Sequence, residues 1–193
     1  KRASDRIYYV LRLAGFMSNL DGITEIPDNN LRDLFNKYCD ENHYAKDCKK
    51  IIITCKNTLL EMYDTRKGFE RDTWDSSIFK VSDERVNKSS SEYNFYFRQI
   101  ENVENREYAK KYIKYLLGCT EQSLSTVINY FSHICRFCDF IYPKSILDVT
   151  EKDFRKYLDF KKELSNDAYN HNISRIYGMY EYLTVEGLSL IHI

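Results

Sequence analysis

Apolar residues recur every three to four positions along most of the chain, which predicts α-helices throughout. The pattern is clearest in EQSLSTVINYFSHICRFCDFI, where it predicts one buried helical face. That face comprises Thr126, Tyr130, Ile134, Phe137 and Phe140. Only two prolines and six glycines interrupt the chain. The sequence therefore predicts an all-α fold class.

Three helices are predicted in the first third of the chain, at roughly 4–19, 28–41 and 45–65. Asp28 follows the break at Pro27 and is expected to cap the second of them.

The pattern stops between residues 66 and 92, where the chain is polar and ends in a serine run. This composition predicts a linker. Trp74 and Phe79 are expected to anchor it, because an exposed tryptophan would leave a large apolar surface in water.

Helix ends are also predicted in the second half of the chain. Ser123 is an expected N-cap, Thr150 forms a capping box with Asp153, and Ser165 or Asn166 begins the last helix. Pro143 enforces a turn, and Gly187 ends the last helix. The predicted buried face of that helix is Tyr169, Ile173, Ile176, Tyr180 and Leu183.

Residues 4–60 align without gaps on residues 127–183, so that Leu11 meets Ile134 and Leu60 meets Leu183. One interpretation is a duplicated helical lobe whose first copy is degenerate and truncated. The other is that any two amphipathic hairpins with equal loops align in this way.

These patterns predict two small helical lobes separated by a linker. The expected boundaries are an N-terminal lobe at 1–66, a linker with an anchored turn at 67–98, a four-helix domain at 99–188 and a tail at 189–193. The chain begins without Met, and its tail, SLIHI, looks non-native, so we expect a piece of a longer protein.

Lys and Arg together number 29, as do Asp and Glu, so the formal net charge is zero. This balance lowers the expectation of nucleic-acid binding. The cations are nevertheless clustered, at Lys110, Lys111 and Lys114 and again between Lys152 and Lys162. Such clusters fit either a basic stripe or ordinary solvated helix faces.

Six cysteines without an export signal predict a reducing, cytoplasmic location. Cys135 and Cys138 are expected to be small buried side chains. Cys39, His43 and Cys48 lack the fourth ligand of a structural zinc site, so neither a metal nor a cofactor is expected. No catalytic constellation is visible, and no continuous apolar run is long enough for a membrane span.

Three segments within residues 104–188 carry a family resemblance: the helix quoted above, ILDVTEKDFRKYLDF, and LSNDAYNHNISRIYGMYEYLTVEGL. Together they resemble the core-binding domain of tyrosine recombinases, the phage-integrase superfamily. An upstream segment is similar to the transposon-type members. Its matching residues are Asp72, Trp74, Phe97, Ile100, Arg106, Lys110 and Tyr112.

The resemblance implies a SAM-like domain that grips double-stranded DNA without performing chemistry, within a recombinase that assembles as a tetramer on DNA. The first and fourth helices of that domain are expected to approach the DNA. By resemblance the DNA-facing residues are Lys110, Lys114, Ser123, Thr126, Asn170, His171 and Arg175. Ala168 and His171 depart from the family, which usually has Thr and a basic residue there.

Two interpretations of function follow. The first is the DNA-binding N-terminal region of a site-specific recombinase, encoded by a bacterium, phage or mobile element, whose catalytic domain lies outside this chain. The second is a helical protein-interaction module, because aromatic-rich amphipathic helices at neutral charge look much the same. An independent helical enzyme is a weaker third, since no pocket of convergent polar groups is foreshadowed.

Overall fold

The chain divides into two compact units, Lys1–Thr65 and Arg66–Ile193, in the computed structural model. The structure describes residues 12–18, 20, 22–44, 51–75, 78–86, 93–163 and 165–188. Helices dominate these residues, and the predicted all-α class is confirmed. None of the described helices is long and apolar enough to cross a membrane.

The first unit contains a helical stretch at residues 12–17 and the helices α1 (Asp28–Glu41) and α2 (Ile51–Met62). Its buried core is formed by Leu13, Phe16, Leu31, Phe35, Cys39 and Ile52. The predicted helix at 28–41 is confirmed, and the third predicted helix ends earlier than residue 65. Residues 4–11 and 45–50 of the other two predicted helices lie outside the described residues.

The predicted N-cap of α1 is wrong. Pro27 occupies that position, with an extended ψ of 144°, and no side chain caps the helix. Asp28 is instead the first helical residue, and its carboxylate accepts a hydrogen bond of 2.6 Å from Lys56 Nζ. Lys56, almost fully buried, also donates to the carbonyl of Ile26. The Asp28 carboxylate therefore forms an ion pair inside the unit instead of capping the helix.

Four helices form the body of the second unit: α3 (Val103–Cys119), α4 (Leu124–Ile141), α5 (Glu151–Phe160) and α6 (Asn166–Val185). Helix α4 packs against the other three, and α3 also contacts α6. The predicted four-helix arrangement is present in this unit.

The predicted helix ends in this unit are confirmed. Ser123, Thr150 and Ser165 each accept a hydrogen bond from the backbone amide three residues later, and Thr150 completes a capping box with Asp153. Gly187 has a positive φ of 68°, which a glycine adopts without steric cost.

Helix α4 buries a broader and slightly rotated face than predicted, because it packs on three neighbouring helices. Its buried residues are Leu124, Val127, Phe131, Ile134, Cys135, Phe137, Cys138 and Ile141. Of the predicted face, Ile134 and Phe137 are buried, Thr126 and Tyr130 lie at its edge, and Phe140 is 36% exposed. In α6, Ile176, Tyr180 and Leu183 are buried as predicted, whereas Tyr169 and Ile173 are only partly covered.

The segment that precedes α3 belongs to the core of the second unit, although its composition predicted a linker. The anchoring roles of Trp74 and Phe79 are confirmed, because both are at least 96% buried. A short antiparallel pair, β1 (Thr73–Trp74) with β2 (Phe95–Tyr96), holds the segment together, and Trp74 packs on Phe97 at 4.5 Å between ring centroids. The segment is thus buried through aromatic residues that are scattered among polar ones. The average polarity of the segment does not reveal this burial.

A buried carboxylate ties this segment to α3. Asp72 is 3% exposed, and its Oδ1 lies 2.7 Å from Lys110 Nζ. Its Oδ2 lies 2.8, 3.3 and 3.2 Å from guanidinium nitrogens of Arg66, Arg98 and Arg106. Burial acts to raise the pKa of Asp72, but hydrogen bonds from Arg66 and Lys110 and the charge of Arg106 outweigh it and hold the pKa below its usual value.

Asp72→Asn is expected to lower the free energy of unfolding by about 3 kcal/mol, because it leaves buried cations without their counter-charge. The folded pKa lies below the unfolded value of about 3.9, so the contribution is complete above that pH and is lost as the pH falls through the folded value. Urea denaturation at neutral and acidic pH measures both effects.

Glu121→Gln is the matched control, because Glu121 is an exposed carboxylate of the same unit. It should change stability by less than about 0.5 kcal/mol. Equal stability of Asp72→Asn and Glu121→Gln at neutral pH would contradict the role assigned to Asp72.

Candidate nucleic-acid interface

Lys110 is not available to an external ligand. Its side chain is 5% exposed, and its ammonium lies 2.7 Å from Asp72 and 2.8 Å from Glu107. The geometry contradicts the predicted DNA-facing position, because a phosphate contact would break a buried ion pair. The basic cluster seen in the sequence is thus divided: Lys110 points inward, whereas Lys111 and Lys114 are exposed.

Lys114 lies on a different surface from the remaining predicted residues. Its ammonium sits 5.0 Å from the centre of the Phe69 ring, in a cation–π arrangement. It lines a groove between α3 and the end of α6.

Three hydroxyl groups meet at the beginning of α4. The Oγ of Ser123 lies 2.7 Å from Thr126 Oγ1 and 3.0 Å from Ser125 Oγ, and it accepts the amide of Thr126. The first turn of a helix carries partial positive charge and free amides, so hydroxyl groups placed there can contact an anion. The structure accounts for Ser123 as a cap and leaves Thr126 partly exposed one turn before Tyr130.

Arg175 brings α6 against this face of α4. Its guanidinium carbon lies 4.1 Å from the centre of the Tyr130 ring, a stacking arrangement that arginine favours. Its Nε is buried and has no hydrogen-bond partner among the described residues. Thr126 and Arg175, which are distant in sequence, therefore lie along adjoining helix faces.

Asn170 and His171 are exposed near the beginning of α6. The Nε2 of His171 lies 3.3 Å from the Asp167 carboxylate, a pair that carries opposite charges only when the imidazole is protonated. Asn170 is five residues from Arg175, so it points to another side of the helix. Apart from Lys110 and Lys114, the predicted residues thus lie in two places, at the beginning of α4 with Arg175 and near the beginning of α6, rather than on one continuous stripe.

Three cations act on His133, which the sequence left without a role. Burial lowers the pKa of His133, and the charges of Arg136, Arg175 and Lys161 lower it further, whereas a hydrogen bond with Asn172 raises it. Three cations from α4, α6 and the end of α5 therefore lie within electrostatic reach of one imidazole. Its Nδ1 is buried without a hydrogen-bond partner in the described part of the chain.

Neither Arg136 nor Arg175 forms an ion pair with any described carboxylate, in contrast to the cations around Asp72. Arg136 is exposed, and Lys161 rests above the rings of Tyr157 and Phe160 at 5.4 and 4.9 Å. A cluster of cations without counter-charges can hold phosphate oxygens. We call His133, Arg136, Lys161 and Arg175, with the ring of Tyr130, the basic face.

One sequence signal pointed to this face. Tyr130, His133 and Arg136 are spaced at three-residue intervals on α4, which places them on neighbouring positions of one side. Their partners Lys161 and Arg175 come from other helices, so only the folded chain shows the cluster.

The cysteines of α4 play no part in this face. Cys135 and Cys138 are buried as predicted, and burial raises the pKa of the Cys138 thiol to about 12. No group of metal-ligating side chains forms within the described ranges. Cys48, part of the cysteine and histidine cluster noted in the sequence, lies outside them.

A family model described as "Phage integrase, N-terminal SAM-like domain" matches residues 109–187, which cover most of α3 and all of α4, α5 and α6. This part of the chain is therefore similar to a phage integrase SAM-like domain. The predicted family resemblance is confirmed for this part of the chain. No curated protein and no solved structure matches the chain.

The basic face belongs entirely to the SAM-like domain, and its electrostatics can be measured. We expect NMR titration to give His133 a pKa below the ordinary value of about 6.5. Arg136→Gln should raise that pKa, because it removes a nearby positive charge, and it should do so more than Lys161→Gln.

Lys152→Gln is the matched control, since Lys152 is an exposed cation of α5 that is not among the main causes of the lowered pKa of His133. An equal rise in the control, or an unshifted His133 in the unmodified protein, would show that the three cations do not converge on this imidazole.

Proposed function

We propose that this chain is the DNA-binding N-terminal region of a site-specific tyrosine recombinase, acting in the integration and recombination of a mobile element. Its ligand is double-stranded DNA, and its protein partners are other recombinase protomers assembled on that DNA. Cleavage and rejoining of strands belong to a catalytic domain, and the proposal assigns no such chemistry to residues 1–193. It places the protein in the cytoplasm, where that DNA is found.

The basic face carries this proposal. Arg136, Lys161 and Arg175 converge in a domain of the integrase type, and no described carboxylate neutralises the two arginines. Phosphate contacts need local positive charge rather than a basic chain, because screening confines electrostatic effects to about 10 Å at ordinary salt concentrations. The zero net charge of the chain is therefore compatible with DNA binding.

The two predicted helix beginnings add contacts of a different kind. Ser123 and Thr126 lie at the start of α4, and Asn170 and His171 lie within the first turns of α6. Hydroxyl, amide and imidazole groups at such positions hydrogen bond to phosphate oxygens and fix the position of a protein on a duplex. We assign these residues to positioning and the basic face to most of the affinity.

Two lysines that the sequence predicted to face DNA are not part of the proposed DNA contact. Lys110 is excluded, because its ammonium is paired with Asp72. Lys114 is left outside the main contact, because it lines the groove beside α3.

Arg136→Gln/Arg175→Gln is expected to weaken binding to random-sequence duplex DNA and to flatten its salt dependence. Each lost phosphate contact reduces the slope of log affinity against log salt by about 0.9, so the double variant should lose about 1.8. Fluorescence anisotropy between roughly 50 and 200 mM NaCl measures both quantities.

Lys152→Gln/Lys156→Gln changes the net charge equally on an exposed side of α5 and serves as the control. It should keep at least most of the wild-type slope. Thermal unfolding of both variants separates lost contacts from lost folding, and Arg136→Gln alone offers a variant at an exposed position.

Equal losses in the two double variants would remove the basic face from the proposal. Absence of binding at low salt would reject DNA binding by this chain and favour the alternative, a helical protein-interaction module.

A further inference from the structure

A second surface of the SAM-like unit is a groove of about 870 Å³, a volume within the range of ligand sites. Its floor and walls come from α3, the end of α6 and the segment before α3. Leu188 also lines it, and its amide donates a hydrogen bond of 2.9 Å to the carbonyl of Leu183 after the turn at Gly187.

The groove is positively charged. Lys80, Lys111 and Lys114 line it and are exposed, and none of them forms an ion pair within the described residues. Glu186 is the single acidic residue of the described lining. A ligand that neutralises this surface must carry more negative than positive charge.

The aromatic rings of the groove contact one another and their neighbours. Tyr115 and Tyr182 stack on each other at 5.0 Å between centroids. Phe69 holds the ammonium of Lys114 at 5.0 Å and packs against Trp74 at 4.8 Å. These contacts engage the rings with one another and with Lys114, although Tyr115 remains 40% exposed.

Aliphatic side chains supply the remaining apolar lining, from Ile78, Leu117 and Leu188. Such a lining favours aliphatic or aromatic side chains that insert from a peptide. Charge and lining together point to an acidic segment with apolar anchors.

Gly118 is an independent observation at the same place. It is the penultimate residue of α3. A Cβ at this position would have no atom within 4 Å, and its backbone is not among the positive-φ positions of the chain. Neither packing nor backbone conformation requires a glycine here, and a bulky side chain at this position would occupy the groove.

We infer that this groove binds an acidic peptide segment of a partner protein, with aliphatic or aromatic side chains inserted beside Gly118 and carboxylates paired with Lys80, Lys111 and Lys114. This inference is independent of the proposed DNA contact, which uses other residues. The groove therefore gives the chain a protein-binding surface in addition to the basic face.

The test is a selection of random dodecapeptides on the full chain, followed by anisotropy measurements with the enriched peptides. Enriched sequences should combine Asp or Glu with Leu, Ile or Phe. Gly118→Trp should reduce their affinity by about tenfold or more, because the indole fills the groove. Lys80→Glu/Lys111→Glu should do the same through charge reversal.

Two variants control for folding and for general charge effects. Gly118→Ala should retain binding and raise stability slightly, because open space surrounds the added methyl group. Lys152→Glu/Lys156→Glu should bind the peptides like the wild type. Gly118→Trp should also keep wild-type affinity for duplex DNA, which separates this inference from the proposed function.

Three outcomes would overturn the inference. The first is no enrichment, or enrichment of peptides without acidic residues. The second is loss of duplex DNA binding in Gly118→Trp, which would make the groove part of the nucleic-acid surface. The third is a rise in peptide affinity when residues 189–193 are removed, which would identify the chain's own tail as the occupant.

Discussion

The buried carboxylate of Asp72 determines how the second unit is assembled. A carboxylate that is 3% exposed is tolerated only because Arg66, Arg98, Arg106 and Lys110 surround it. Two of these cations belong to α3 and two to the preceding segment, so their shared counter-ion locks the segment onto the helix. The inward position of Lys110, and hence its loss as a DNA contact, follows from this arrangement.

The segment also holds the other end of α3. Arg85 donates hydrogen bonds to the carbonyls of Leu116, Leu117 and Gln122 at 2.8 to 3.2 Å. A cation at the C-terminal end of a helix satisfies its free carbonyls and opposes its dipole. Helix α3 is thus fixed at both ends. A fixed α3 in turn presents Tyr112 to α6, where a Cβ at Gly178 would lie 2.8 Å from the tyrosine hydroxyl oxygen.

Features encoded by neighbouring residues could be predicted from the sequence. The capping box of Thr150, the N-caps at Ser123 and Ser165 and the ending at Gly187 depend on a few consecutive positions, and all are confirmed. The buried position of Lys110 could not be predicted in this way, because its partner Asp72 lies 38 positions earlier in the chain. The segment before α3 was likewise predicted wrongly from its average polarity, since burial there depends on which residues each aromatic ring contacts.

The neutral net charge of the chain hides three different uses of its cations. Around Asp72 they are buried and neutralised, and they contribute to folding. On the basic face, Arg136 and Arg175 have no carboxylate partner in the described structure and rest beside aromatic and imidazole groups. Along the groove, exposed lysines border an apolar lining. These settings differ in burial and in counter-charge, so the net charge of the chain says little about what it binds. The position of each cation determines which ligand it can contact.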